Sequence, residues 1–313
     1  MSVNMRGLHV LSVADLGPRG LMATLELARL LKAGKPAPSL AGRILALLFE
    51  KPSLRTRLSF EVAMRYLGGH CLYFSPQEVG LGVREPVRDV ARVLARHVDV
   101  IAVRAFAHST LEEMARYAKV PIINALSDQE HPTQALGDLL TIWEVKGQLQ
   151  GVTLAFVGDA NNVARSLCLA AAMAGMHFRI ASPPGYGMPD DVLVEARRHA
   201  QASGGSVATF AHPQEAVAGA DVVYTDVWVS MGQEAEAEAR RLAFAGFQVN
   251  SQLMSLARPD AVFMHNLPAH RGEEVTDEVI EGQRSVVWQQ AENKTHAIKA
   301  LLTLLLAAEE AES

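Results

Sequence analysis

Six segments of the chain combine residue types and spacings that suit chemistry. The first is Phe49-Glu50-Lys51-Pro52-Ser53-Leu54-Arg55-Thr56-Arg57, an apolar strand-like run that leads into a helix-like stretch. A helix start leaves backbone N–H groups unpaired and carries partial positive charge. The hydroxyls of Ser53 and Thr56 and the guanidinium groups of Arg55 and Arg57 add donors suited to phosphate oxygens. Alone, the segment reads equally well as an N-cap serine followed by surface arginines. The second segment is His131-Pro132-Thr133-Gln134, after Leu126-Ser127-Asp128. An imidazole beside an amide can polarise a carbonyl and hold an NH2 group. Alone, it is a loop histidine with a capping threonine.

The third segment, Phe156-Val157-Gly158-Asp159-Ala160-Asn161-Asn162-Val163, reads as strand, tight turn and helix. The G-x-G-x-x-G pattern is absent, which argues against a nicotinamide dinucleotide. Asparagines at the helix entrance can hold a carboxylate or simply cap the helix. The fourth is Asp226-Val227-Trp228-Val229-Ser230-Met231-Gly232-Gln233-Glu234, after a strand. Asp226 can pair with an ammonium, and Ser230 with nearby N–H groups can take a carboxylate; together they would read an amino acid. Alone, the segment is an ordinary loop with a glycine turn. The fifth, Met264-His265-Asn266-Leu267-Pro268-Ala269-His270, and the sixth, Gln290-Ala291-Glu292-Asn293-Lys294, are weak individually. All six, however, fall at strand or helix ends.

The elements that must position them alternate. Apolar runs predict strands at Arg43–Phe49, His70–Phe74, Val98–Val103, Val120–Asn124, Thr153–Val157, His177–Ala181, Val207–Phe210, Val222–Tyr224, Val262–Met264 and Val286–Trp288. Helical spacing appears at Thr133–Glu144, Val163–Ala174 and Asp190–Ala202, and Gln290–Glu310 reads as one long final helix. Such alternation predicts α/β architecture: two doubly wound parallel sheets, with ligands at the carboxyl ends of strands. The polar stretch Lys146–Gly151 marks the expected boundary. The expected divisions are 1–148, 149–288 and a C-terminal helix at 289–313 that packs back on the first domain. A cleft between the two halves is the default site.

Composition narrows the class. The 313 residues suggest two domains, and 49% hydrophobic residues supply a core without staples. Lys+Arg is 29 and Asp+Glu 34, a formal net charge of −5. Bulk attraction to nucleic acid or an anionic membrane is not expected. Two cysteines, Cys71 and Cys168, make no C-x-x-C pair, so thiol-based zinc and redox motifs are out. The apolar run Ala300 to Ala308, interrupted by Thr303, falls well short of the about 20 residues a bilayer span needs. The amino-terminal stretch lacks the apolar run of a secretory signal. A cytoplasmic enzyme is the expectation.

Taken together, the motifs resemble the ornithine carbamoyltransferase family over nearly the whole chain. The carriers are Ser53-Leu54-Arg55-Thr56-Arg57, His131-Pro132-Thr133-Gln134, Gly158-Asp159-Ala160-Asn161-Asn162 and the loop Asp226 to Glu234 with Ser230-Met231-Gly232. The last separates ornithine-type enzymes from aspartate carbamoyltransferases. The resemblance implies carbamoyl phosphate and L-ornithine as substrates, a homotrimer, and no metal or organic cofactor. It implies that Ser53, Arg55, Thr56 and the Leu54 N–H hold the phosphate. Arg104, His131 and Thr56 would polarise the carbonyl, Gln134 would bind the carbamoyl NH2, and Lys294 would add charge to the donor site. Asn162, Asp226, Ser230, Met231, Asn266 and Leu267 would hold the amino acid, with Arg104, His131, Asp226 and Asn266 as the catalytic set.

Four departures from the family pattern matter. Asn266 stands where relatives carry a cysteine that contacts the side-chain amine; an amide can accept a hydrogen bond but cannot become a thiolate. Lys294 replaces an arginine, keeping charge and losing the planar fork. Leu54 replaces a threonine. Gly80 stands where relatives place a His or Gln that reaches the neighbouring subunit, with Gln77 or Arg84 as candidate substitutes. Alternative readings are a carbamoyltransferase for another amine, such as N-acetylornithine or putrescine, and a non-catalytic ligand-binding homologue.

Overall fold

The structure is a computed structural model that describes residues 4–230 and 232–307. By contacts the chain forms two compact units, one of Met1–Leu140 with Glu292–Ser313 and the other of Thr141–Ala291. Helices of eight residues or more are numbered here. In chain order the elements are α1 (Gly17–Lys32), β1 (Ile44–Phe49), α2 (Leu54–Tyr66), β2 (His70–Phe74), α3 (Val87–Leu94), β3 (Val100–Arg104), α4 (His108–Tyr117), β4 (Ile122–Leu126) and α5 (Pro132–Lys146). Then come β5 (Thr153–Val157), α6 (Asn162–Met173), β6 (His177–Ala181), α7 (Asp190–Ser203), β7 (Ser206–Phe210), β8 (Val222–Thr225), β9 (Val262–His265) and α8 (Val287–Leu306).

The first unit holds a parallel sheet of order β2-β1-β3-β4, the second one of order β7-β6-β5-β8-β9. The central strands are continuous apolar runs, such as Ile-Leu-Ala-Leu-Leu-Phe in β1, because helices cover both faces of such sheets. Strand order reverses between β1 and β3 in the first sheet and between β5 and β8 in the second. Ligand crevices of open α/β sheets form outside the carboxyl ends of strands at these switch points. Register aligns the ends: Phe49 pairs with Arg104, Val157 with Thr225, and Thr225 with His265.

Three expected strands need correction, and the one expected at Val98–Val103 lies at Val100–Arg104. The run Val286–Trp288 is not a strand, since α8 begins at Val287 and only Ser285 bridges to Phe263. Three apolar residues cannot distinguish a strand from the first turn of a buried helix. The strand expected at Val120–Asn124 lies at Ile122–Leu126. The long final helix is present to Leu306, and residues 308–310 of the expected span lie outside the described residues. The division between units falls within α5 and α8, and Lys146–Gly151 forms the end of α5 and the turn after it. In the first unit, the carboxyl part of α8 is tied to α1: Lys32 Nζ donates to Asn293 Oδ1 at 2.6 Å and Lys299 Nζ to the Leu31 carbonyl at 3.4 Å.

Candidate active site

The first unit gathers a cationic cluster at its switch point. Ser53 caps α2 with an extended backbone, and its hydroxyl accepts from the Thr56 amide at 3.3 Å. The first-turn N–H groups of a helix, Leu54 among them, have no carbonyl partner within it. Arg104 ends β3, where the register against β4 slips. Such an irregularity re-aims a side chain, and Arg104 is buried with no partner for Nε among the described residues. Burial and the nearby Arg55 push its pKa down to about 10.

His131 closes the turn after β4. That turn is pinned: the Ser127 amide donates to the Glu130 carbonyl at 2.9 Å, and Asn124 Nδ2 to the Leu11 carbonyl at 2.8 Å. The imidazole is buried, and burial, with Lys294 and Arg104 beside it, holds its pKa well below the ordinary value. It is therefore a neutral ring, suited to hydrogen bonding with a carbonyl oxygen or an amide. One turn into α5, Gln134 Nε2 donates to Asp138 Oδ1 at 2.8 Å, with both side chains buried.

Lys294 reaches the same place from α8. This helix approaches α5 so closely that a Cβ at Gly137 would lie 2.9 Å from Lys294 Cα, which only glycine permits. Lys294 Nζ donates to Thr56 Oγ1 at 3.0 Å and lies 3.3 Å from His131 Nε2. The structure thus brings Thr56, His131 and Lys294 into contact, with Arg55 and Arg104 close enough to act on their charge. Leu54 has its side chain exposed and offers only its backbone. Arg57 does not join: it donates to Glu61 at 2.7 Å and stacks over Tyr73 at 3.8 Å.

The second unit gathers an acidic cluster at its own switch point. Gly158 follows β5 with a φ of +139°, a conformation that favours glycine. Asn161 caps α6, accepting from Val163 N at 3.0 Å and Ala164 N at 3.1 Å. Its Nδ2 donates to Asp226 Oδ2 at 2.8 Å, and Val227 N donates to the other oxygen at 2.8 Å. Burial raises the Asp226 pKa, opposed mainly by His265. Asn162 sits at the first position of α6, half-buried.

His265 ends β9, fully buried. Its Nδ1 accepts from Leu267 N at 2.9 Å, and its Nε2 donates to Glu274 Oε1 at 3.2 Å. Asn266 follows, and its Oδ1 is buried with no hydrogen-bond partner among the described residues. Leu267 has a φ of +57° and precedes a cis proline. The Ser230 amide donates to Gln233 Oε1 at 3.0 Å, closing its loop. Met231, also expected here, lies outside the described residues.

The sequence analysis anticipates capping by the asparagines of this turn but misses Asp138 and Glu274 and gives His265 no role. Asn161 and His265 lay inside segments already singled out; Glu274 and Asp138 carried no local signal. Asp159 belongs to the scaffold. It pairs with the buried Arg240 at 2.8 Å, and Arg240 also donates to the Trp228 carbonyl at 3.0 Å. Breaking a buried pair leaves an uncompensated charge, so Arg240→Ala is expected to cost about 3–5 kcal/mol in a denaturant melt.

Comparisons agree with this division of chemistry. The carbamoyl-P binding domain model of aspartate/ornithine carbamoyltransferases matches residues 8–144, and the Asp/Orn binding domain model matches 150–305. An ornithine carbamoyltransferase of Pyrococcus abyssi is 52% identical over 310 residues, 98% of both chains. One from Thermus thermophilus is 52% identical, covering 95% of this chain and 96% of the other. The solved ornithine carbamoyltransferase of Pyrococcus furiosus superposes with a TM-score of 0.95 at 50% identity, covering 99% of this chain and 100% of that one. That of Giardia lamblia gives 0.87 at 34% identity, covering 95% and 97%. Sheets, switch points and the two polar clusters therefore have a common explanation: the chain belongs to the aspartate/ornithine carbamoyltransferase family.

Proposed function

We propose that the chain transfers the carbamoyl group of carbamoyl phosphate to the side-chain amine of L-ornithine, giving L-citrulline and phosphate. The observation that carries this is the pairing of chemistries. A buried cationic cluster in the first unit suits a phosphorylated donor, and a buried carboxylate in the second suits an ammonium acceptor. Relatives about 50% identical over nearly their full length are ornithine carbamoyltransferases.

In this reading Ser53, Arg55, Thr56 and the Leu54 N–H hold the phosphate. The ornithine ammonium first loses a proton, and the neutral amine then attacks the carbamoyl carbon. The carbonyl oxygen becomes anionic in the tetrahedral state, and Arg104, His131 and Thr56 are aimed to stabilise it. The C–O bond to phosphate breaks, the second amine proton leaves, and the arginines stabilise the departing anion. Gln134 binds the carbamoyl NH2. Asp226 pairs with the acceptor's ammonium, assisted by Asn162, Ser230, Met231, Asn266 and Leu267. One relative bears the name anabolic, which supports the biosynthetic direction, toward arginine. Assembly as a homotrimer in the cytoplasm completes the proposal; among the described residues, no helix is long and apolar enough to cross a membrane.

Asn266 favours a second reading, a different amine acceptor. The test is to incubate the protein with carbamoyl phosphate and ornithine, N-acetylornithine, putrescine, lysine or aspartate, and to identify the carbamoylated product by mass. Citrulline from ornithine supports the first reading. Product from another amine alone moves the specificity, and donor binding without any product identifies a non-catalytic homologue. If Asn266 Oδ1 receives the side-chain amine, Asn266→Cys is expected to raise turnover with ornithine roughly two- to tenfold, the worth of one improved polar contact. Unchanged steady-state kinetics would remove Asn266 from the site.

A further inference from the structure

Lys294 is a buried donor-site lysine, a cation that can lose its proton near neutrality, and its surroundings favour that loss. Its side chain is 4% exposed. Its two hydrogen-bond contacts, Thr56 Oγ1 from α2 and His131 Nε2 from the turn before α5, carry no negative charge. Two guanidinium groups face it, Arg55 from α2 and Arg104 from β3, and one carboxylate, Asp138 from α5, opposes them. On the α1 side, Lys32 is engaged by Asn293, the residue beside it. Lys294 is thus buried against neutral partners, a setting that disfavours its ammonium. Arginine stays protonated in proteins, so the lysine is the group that yields.

We propose that carbamoyl phosphate binds together with a proton taken up by Lys294, so that the donor site is tuned by pH. This rests on the donor-site assignment above. The free site places the Lys294 pKa at about 7, lowered first by burial and then by Arg104. A dianionic phosphate arriving beside it favours the ammonium and raises that pKa. The sign follows from linkage: above the free pKa and below the bound one, each binding event consumes a proton. Affinity then falls about tenfold per pH unit. Below pH of about 7 the lysine is charged in both states and affinity is level, until the phosphate's own second ionisation near 6 intervenes. His131 does not produce this slope, because its pKa lies well below neutrality.

The test is calorimetric titration of the intact protein with carbamoyl phosphate between pH of about 6.5 and 9.5, in paired buffers of different ionisation heat. Proton uptake is expected to rise from about a quarter of a proton per bound molecule at the low end to about one at higher pH, half-complete near pH 7. In Lys294→Arg the uptake disappears and affinity becomes level with pH over the same range. A wild-type protein that binds carbamoyl phosphate with no proton uptake at pH of about 8.5 overturns the proposal, whether or not the variant folds. So does a folded Lys294→Arg that retains the full uptake. Absence of binding heat and of ligand-induced thermal stabilisation at every pH overturns the donor-site assignment itself.

Discussion

Arg55→Ala is expected to weaken carbamoyl phosphate binding on the order of a hundredfold or more. Losing one partner of a charged, desolvated contact costs about 2–5 kcal/mol, and each 1.4 kcal/mol is about tenfold in affinity. Arg55 sits in the first turn of α2, beside the cap made by Ser53, and is close enough to Arg104 and Lys294 to lower their pKa values. Helix dipole, capping geometry and guanidinium charge thus converge on one anion position. Arg57 supplies the control. Two residues along the same helix, it is exposed and occupied by Glu61 and Tyr73. Arg57→Ala is expected to leave affinity within about twofold, as for surface substitutions in general. Equal losses in the two variants, measured by calorimetry, would mean that bulk charge rather than a built site attracts the donor.

Asp226→Asn is expected to lower kcat/KM for ornithine on the order of a thousandfold while leaving carbamoyl phosphate affinity unchanged. The carboxylate is buried, its oxygens are fixed by Asn161 and Val227, and its charge is what an incoming ammonium would meet. The amide keeps the shape and removes the charge, a loss comparable to about 4 kcal/mol for a desolvated ion pair. Both oxygens accept from N–H groups, so the amide places a donor opposite one of them, and folding is checked separately. The folded pKa of Asp226 is raised, so the buried charge costs stability as pH rises through the interval between the unfolded and folded values. Removing that charge relieves the cost, and a thermal melt near neutral pH checks that the variant remains folded. A kcat/KM within tenfold of wild type would remove Asp226 from the acceptor site.

Much of this was legible in the chain itself, for identifiable reasons. Strands such as Thr153–Val157 and His177–Ala181 were read with their observed limits, because short apolar runs flanked by turn residues are diagnostic when helices alternate with them. Val286–Trp288 misled because β-branched residues open α8, and packing overrode their propensity. Candidate residues on motif segments were visible, since capping and anion-binding patterns are local. Their supporting residues were not. Glu274 reaches His265 across nine positions of sequence, and Lys294 meets Thr56 across 238. The Lys294–Thr56 contact is made by topology, through the close passage of α8 over Gly137, and no window of sequence contains it. Nor does residue type reveal that a lysine there is buried against neutral partners.

The two polar clusters are built on different sheets, each at its own reversal of strand order. Residues expected to activate the donor, including Lys294 on the returning helix, all belong to the first unit. Those expected to read the acceptor follow β5, β8 and β9 in the second. Asn266 can be changed without altering any residue expected to activate the donor. Lys294 can likewise be changed without altering any residue expected to read the acceptor. Such a chain evolves along two nearly independent axes, and its relatives should differ more in what they carbamoylate than in where the carbamoyl group comes from.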